Sequence, residues 1–433
     1  MIKKGRFSAY QLTSTEGIEV NRWKKIILQP TSFSLNGQDR MIISDIKKKT
    51  ACKNRNNVTR TAAYLHFFQQ HPEIHWALLA HLVSRNGGWS MTDLKGSLLK
   101  NLMNNEQRHE FFAFLERANG FIFHDAYPQL LLYERSKEEG INYFHLLPFF
   151  GVSRFMKPVW DSFFTNQNSK LLTIALIINE QHYIEKRLIE NRKNLKKVLK
   201  SRIFSLQERF HLNYVIFPYH ENSEIRLIGL NVSHFAPLEE RIELGRRLYG
   251  MLYSSSKYVD KILHFASSIP HSASREDYFP EVFTSAQSAQ VIWSPKLEEA
   301  WEDFPHFFND KDWYNNAKTY ELFQNIRPPK RLDITNKYRF TLSCLIQLSR
   351  LLVLKNKIRI KGHTIFTTGK GGITLGQNHQ FKPGQNAPNN GYYVEIGETG
   401  STVNDPNQIR LEAGEKFPET KNQNRVWMPK RKP

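Results

Sequence analysis

Apolar residues recur at intervals of three and four along most of the chain, the spacing that lines one face of a helix. Tyr64, Phe67 and Phe68 follow it within Thr59–His71, and Ile74, Leu78 and Leu82 follow it after Pro72, which suits the first position of a second helix. Gly87-Gly88 predicts the stop of that helix. A third predicted helix carries Leu94, Leu98 and Leu102 behind the cap-forming Ser90 and Asp93. Further helices are predicted over 106–118, ending before Asn119-Gly120, and over 129–139, 153–164, 238–253, 256–267, 295–301 and 312–326. From about Lys170 no Gly or Pro appears before Pro218, so one long helix is predicted through Leu188, Leu195 and Leu199. Strand signals are scarce. Tyr214–Tyr219 and Arg226–Val232, divided by His220-Glu221-Asn222-Ser223, predict a hairpin.

Both ends depart from this pattern. Residues 1–57 hold short apolar pieces broken by Gly, Asn, Pro and Lys47-Lys48-Lys49, which predicts a basic, partly ordered N-terminal arm. Residues 58–350 are expected to form an all-α domain, 351–374 a linker, and 375–433 a small module of short strands and turns. The expected fold class is mainly α, a multi-helix globular domain with a small β-containing C-terminal module.

Composition narrows the function classes. Apolar residues make up 40% of the 433 and include 30 phenylalanines, which excludes wholesale disorder. No apolar run approaches the ~20 residues of a membrane span, so no integral membrane segment is expected. The N-terminus is basic but lacks the apolar stretch of ~7–15 residues that a secretory signal needs. Cys52 and Cys344 cannot build a disulfide framework and fit a reducing compartment. A cytoplasmic location is expected.

The net charge of +20 is unevenly placed, with +9 in residues 1–60 and +7 in residues 355–433. Inside the chain, 185–202 (EKRLIENRKNLKKVLKSR) carries eight basic and two acidic side chains. Arg192, Lys193, Lys196, Lys197 and Lys200 are therefore candidate anion-binding residues, with nucleic acid or another anionic surface as partner. Aromatic rings, which stack exposed bases, only flank that stretch, at Tyr183 and Phe204.

A second candidate site is polar. His-x-x-Ser-Arg occurs at His81–Arg85 and at His271–Arg275, followed by Asn86 and Asp277. An imidazole beside a guanidinium stays neutral and can accept a proton or share an anion, and Asp277 could orient either. Asn179 and Glu180 interrupt the apolar run LLTIALII and need partners wherever they are buried. Glu106-x-x-His109 has a di-iron spacing but occurs once, short of the set such centres use. No HExxH, P-loop, GxGxxG or GxSxG is present, so neither a cofactor nor a metal is expected.

The stretches RTAAYLHFFQQHPEIHWALLAHLVSRNGGWSMTDLKG, FHLLPFFGVSRFMKPVW, LLTIALIINEQHYIEKR and PHSASREDYFPEVF resemble the YppC-like family of Bacillus-type bacteria, over about residues 1–345. The resemblance implies a bacterial cytoplasmic origin and a shared helical fold, and no activity. Leu375–Pro433 is similar over its whole length to the small YjzC-like proteins of the same bacteria, whose first residues align with Leu375-Gly376-Gln377-Asn378. Lys370-Gly371-Gly372 can be encoded as AAA-GGA-GGT, a ribosome-binding sequence, and Leu375 as the start codon TTG. The expectation is that two adjacent genes have been joined, with 351–374 as translated intergenic sequence, the alternative being a genuine fusion through a flexible linker. Two functions follow as expectations. One is a non-enzymatic cytoplasmic binding protein that meets nucleic acid or another anionic partner through the basic helix. The other is a small-molecule enzyme or ligand-binding helical fold built on the His/Arg/Asp pocket.

Overall fold

Helices begin earlier than the breakers in the sequence predict. The computed structural model describes residues 11–26, 34–87, 90–190, 214–231, 237–253, 256–284, 292–308, 311–315, 317–325, 329, 332–365, 380–399 and 401–430. Ser14–Ile26 (α1) and Gly37–Lys53 (α2) are helices, which corrects the reading of 1–57 as an arm. Asn36 accepts from the Asp39 N–H while the Asp39 carboxylate accepts from the Asn36 N–H, a capping box that starts α2. Ile42, Ile46 and Thr50 then recur every fourth residue on the buried side, and Lys47, Lys48 and Lys49 stay exposed. The lysine run is the wet side of a helix.

Asn57–Gln70 (α3) and His75–Asn86 (α4) form the expected helical pair, with Pro72 in the turn between them rather than at the start of α4. The third expected helix shrinks to one turn, Ser97–Lys100 (α5), because Met91–Lys95 form turns and Asp93 is drawn into buried ion pairing. Asn105–Glu139 (α6) is one helix where two were expected. It runs through Asn119-Gly120 and Pro128, because tertiary packing overrides both breakers. A Cβ on Gly120 would stand 2.4 Å from the His306 ring, so the glycine is where a loop side chain lies on the helix.

Met156–Asn166 (α7) and Ser169–Ile184 (α8) follow. The long helix expected from Lys170 ends in a π-helical turn, Glu185–Ile189, where the Glu190 N–H reaches back to Glu185 O at 2.9 Å. Its continuation through 191–202 lies outside the described residues. The predicted hairpin is present as Tyr214–Glu221 (β1) and Glu224–Asn231 (β2), antiparallel, with Asn222 and Ser223 both at positive φ as a type I′ turn requires. Val215, Phe217 and Tyr219 face one apolar core with α3, α4, α7 and α8; Tyr214 and Ile216 face a second, with Phe111, Phe112 and Tyr338. Burial on both faces explains why YVIFPY is continuously apolar instead of alternating. The hairpin lies inside 58–350, so that domain is mainly rather than wholly helical.

Leu238–Tyr253 (α9) and Ser256–Ser268 (α10) match expectation, whereas 295–301 yields only the turn Leu297–Ala300 (α11) and 312–326 a 3-10 segment, Ala317–Phe323. Phe283–Thr284 (β3) and Ile292–Trp293 (β4) make a short parallel pair. Thr335–Ile365 (α12) enters the stretch expected as linker. The chain divides into two compact units, Met1–Ile358 and Arg359–Pro433. No helix among the described residues is long and apolar enough to cross a membrane.

The second unit contains the expected small sheet, in the order Gln408–Leu411 (β6), Gly391–Gly397 (β5), Arg425–Pro429 (β7). Its core is Ala387, Tyr393, Phe417 and Trp427. Burial alone would raise the Glu395 carboxyl; the N–H groups of Lys421 and Asn407 and the Arg425 guanidinium at 3.0 Å hold it below its ordinary range.

Candidate functional site

Four of the predicted polar residues converge, and their hydrogen bonds are made to one another and to the fold. Arg85, on the last turn of α4, donates from Nη2 (2.9 Å) and Nε (3.2 Å) to Asp277 Oδ2. Its guanidinium also faces the carbonyls of Ala266 and Pro270, so it closes the end of α10 rather than that of its own helix. His271 Nδ1 stands 3.2 Å from the same carboxylate oxygen. Asn57 donates to Ser84 O, which leaves its own Oδ1 to accept from His271 Nε2 at 2.6 Å. His81 Nδ1 donates to Thr61 O at 2.8 Å.

Burial sets the protonation here. It lowers His81 to about 3 and His271 below its ordinary value, with the Arg85 charge adding to both. Burial would raise Asp277, but the hydrogen bond and charge of His271 and the charge of Arg85 more than offset it. Arg275 turns away to a neighbouring buried pair, with its backbone N–H 3.1 Å and its Nη1 3.6 Å from Asp93 Oδ2. Asp93, which spacing casts as a helix cap, also accepts from Ser274 (2.6 Å) and Ser294 (2.9 Å). Asn86 is buried, and neither of its amide atoms has a hydrogen-bond partner among the described residues.

Asn179 and Glu180 sit in a separate cluster. Asn179 donates to Asp125 Oδ2 and accepts from Trp313 Nε1 at 2.8 Å, and Gln129 donates to the same Asp125 oxygen at 2.9 Å. Burial pushes Asp125 up to about 7, and Asp125 Oδ1 has no hydrogen-bond partner among the described residues. Glu180 accepts from Trp76 Nε1 at 3.1 Å, and burial pushes it up to about 8. Both shifts favour the protonated form, as enclosure by apolar helices does. Among the described residues, no three His, Cys, Asp or Glu side chains are grouped as metal ligands would be. Arg192, Lys193, Lys196, Lys197 and Lys200 lie outside the described residues.

The feature that sequence spacing misses is a cleft of about 790 Å³ in the first unit. One wall is the end of α2 with Lys47 and Thr50, and the bend after it with Arg55; the other is the 303–308 segment, crossing α6 at His124 and Pro128. Aromatic contacts fix that segment: Phe308 stacks on His124 (3.6 Å between ring centres) and Phe304 packs edge-on against Phe112. Asn54 fastens α2 to α6 by donating to Gly120 O and accepting from Arg60. Below, Arg60 and Glu116 form a buried ion pair; burial would raise Glu116, and Arg60 and His306 together hold it low. The usable signals are the lysine run and the aromatic-rich FPHFF, which lie about 250 residues apart.

The family described as Protein of unknown function (DUF2515) matches residues 52–340, two thirds of the sequence. The chain belongs to that family. The DUF2515 region holds all eight candidate pocket residues and the aromatic wall of the cleft, while Lys47 and Thr50 lie just ahead of it. "Uncharacterized protein YppC" of Bacillus subtilis (strain 168) is 40% identical over 301 residues, 69% of this chain and 91% of that protein. The YjzC-like family matches residues 375–429, and "Uncharacterized protein YjzC" of the same organism is 68% identical over 59 residues, its full length. Two proteins separate in that bacterium thus correspond to two parts of one chain here. No solved structure matches.

Proposed function

We propose that the chain is a cytoplasmic binding protein for nucleic acid and works by electrostatic capture rather than catalysis. The observation that carries the reading is the exposed side of α2. Between Gly37 and Arg55 there are six basic and two acidic side chains, and Asp39 is committed to the helix cap. Arg40, Lys47 and Lys48 are exposed, and among the described residues Lys47 forms no ion pair. A cationic track beside aromatic rings is the combination that binds phosphates and stacks bases. The His81/Arg85/His271/Asp277 group gives less support to catalysis, since its charged side chains are tied to one another. The two cysteines are unpaired and exposed, in keeping with a reducing compartment.

The test is fluorescence anisotropy of a labelled single-stranded oligonucleotide across a salt series. Affinity is expected to fall linearly in log–log form with salt, and Lys47→Gln with Lys48→Gln to reduce the slope by about 1 for each phosphate left without its lysine. Lys193, Lys196 and Lys197 replaced together report separately on the basic segment 185–202. Salt-insensitive binding, or none at low salt, would rule the reading out.

A further inference from the structure

We infer that the cleft between α2 and the 303–308 segment holds one nucleobase with its phosphate at the rim, as a free nucleotide or as one residue of a strand. The inference deepens, and rests on, the anion-binding reading above. Three observations specify the ligand. The volume, about 790 Å³, lies within the range of small-molecule sites. The walls are aromatic, and Phe307 is 85% exposed beside the opening, an apolar ring left in water where a planar partner can cover it. Lys47 and Arg55 put positive charge at the rim, Arg55 sharing its own with Asp303 at 3.2 Å.

The polar groups in the walls offer a ligand no hydrogen bond. Thr50 is 4% exposed, and its hydroxyl and both ring nitrogens of His306 are sealed from the cleft, with no hydrogen-bond partner among the described residues. His306 Nε2 faces Glu116 Oε1 at 3.6 Å, and the position of the ring is built into the fold, since only a glycine at 120 leaves room for it on α6. An aliphatic acid would use the lysine and leave the rings bare. An aromatic base with an attached phosphate uses both.

Calorimetry on the full chain provides the test, with adenosine 5′-monophosphate and inorganic phosphate as probes. Adenosine monophosphate is expected to bind at one site and phosphate at least about tenfold more weakly, in line with the contribution of one stacked base. Phe307→Ala should weaken the nucleotide about tenfold. Displacement of a labelled oligonucleotide by adenosine monophosphate would place a strand residue in the cleft; binding without displacement would assign it to the free nucleotide. Failure of the nucleotide to bind, with salt-dependent oligonucleotide binding intact, would overturn this inference and leave the anion-binding reading standing. Nucleotide binding indifferent to Phe307→Ala would overturn it as well. Absence of both kinds of binding would remove both.

Discussion

Arg85→Met tests whether the converged His/Arg/Asp group is an internal fastening of the helical unit. The guanidinium and the Asp277 carboxylate are 1% and 4% exposed at the side chain, so the substitution strands a buried carboxylate. Breaking such a pair costs about 3–5 kcal/mol, or a fall of roughly 4–7 °C in melting midpoint for a unit of this size. Asp277 keeps one other basic neighbour, His271. Without Arg85, one of the two influences that depress the His271 pKa disappears, so its pKa moves back toward the ordinary value while burial still holds it down. A histidine whose folded pKa is depressed costs stability as pH falls through its unfolded value, and a smaller depression costs less. The variant should therefore be more damaged at pH 8 than at pH 6. Arg85→Met combined with Asp277→Leu should recover much of the loss, because no charge is left unpaired. Denaturant melts of the four proteins at both pH values measure this. A loss below about 1 kcal/mol for Arg85→Met, or a double variant no better than the single ones, would refute the fastening and make these residues ligand-binding candidates again.

Other predictions concern different parts of the chain. Asp125 and Glu180 have folded pKa values raised to about 7 and about 8, so their contribution is complete below the ordinary carboxylate range and is lost as pH rises through those values. Stability should fall from about pH 4 to about pH 8, and Asp125→Asn should flatten part of that fall in melts across the range. In the second unit, Trp427→Ala removes the largest of four buried core side chains and should cost about 3–5 kcal/mol; hydrogen exchange should then lose protection in β5–β7 while α3 and α8 keep theirs. If two genes were joined, the DNA at 370–375 should read as a ribosome-binding site followed by TTG. An epitope at the C-terminus should then reveal a short product of the tail beside the full chain.

Local signals are enough where neighbours in sequence are neighbours in space. The pair α3 and α4, the hairpin and the tail sheet follow from periodicity and turn residues. α2 is hard to see because only Ile42 and Ile46 mark its apolar side, while the capping box at Asn36 is the stronger signal. α6 reads as two helices because Asn119-Gly120 and Pro128 are strong breakers locally, and what overrides them is packing by residues such as His306, 186 positions away from Gly120. The same limit applies at the site. Repetition of His-x-x-Ser-Arg points to His81, Arg85, His271 and Asp277, but not to Asn57, Thr61 or Asp93, which the fold supplies. Spacing assigns Arg275 to the wrong partnership for that reason. The cleft joins Thr50 to Phe304 and has no signature in either segment alone.

Photochemical cross-linking of the full chain to a single-stranded oligonucleotide, with the modified peptides read by mass spectrometry, tests the binding account most directly. Adducts are expected on the peptides that contain Phe304–Phe308 and Lys47–Arg55, disappearing with rising salt. Adducts confined to 375–433, or scattered over the surface without either cleft wall, would contradict it.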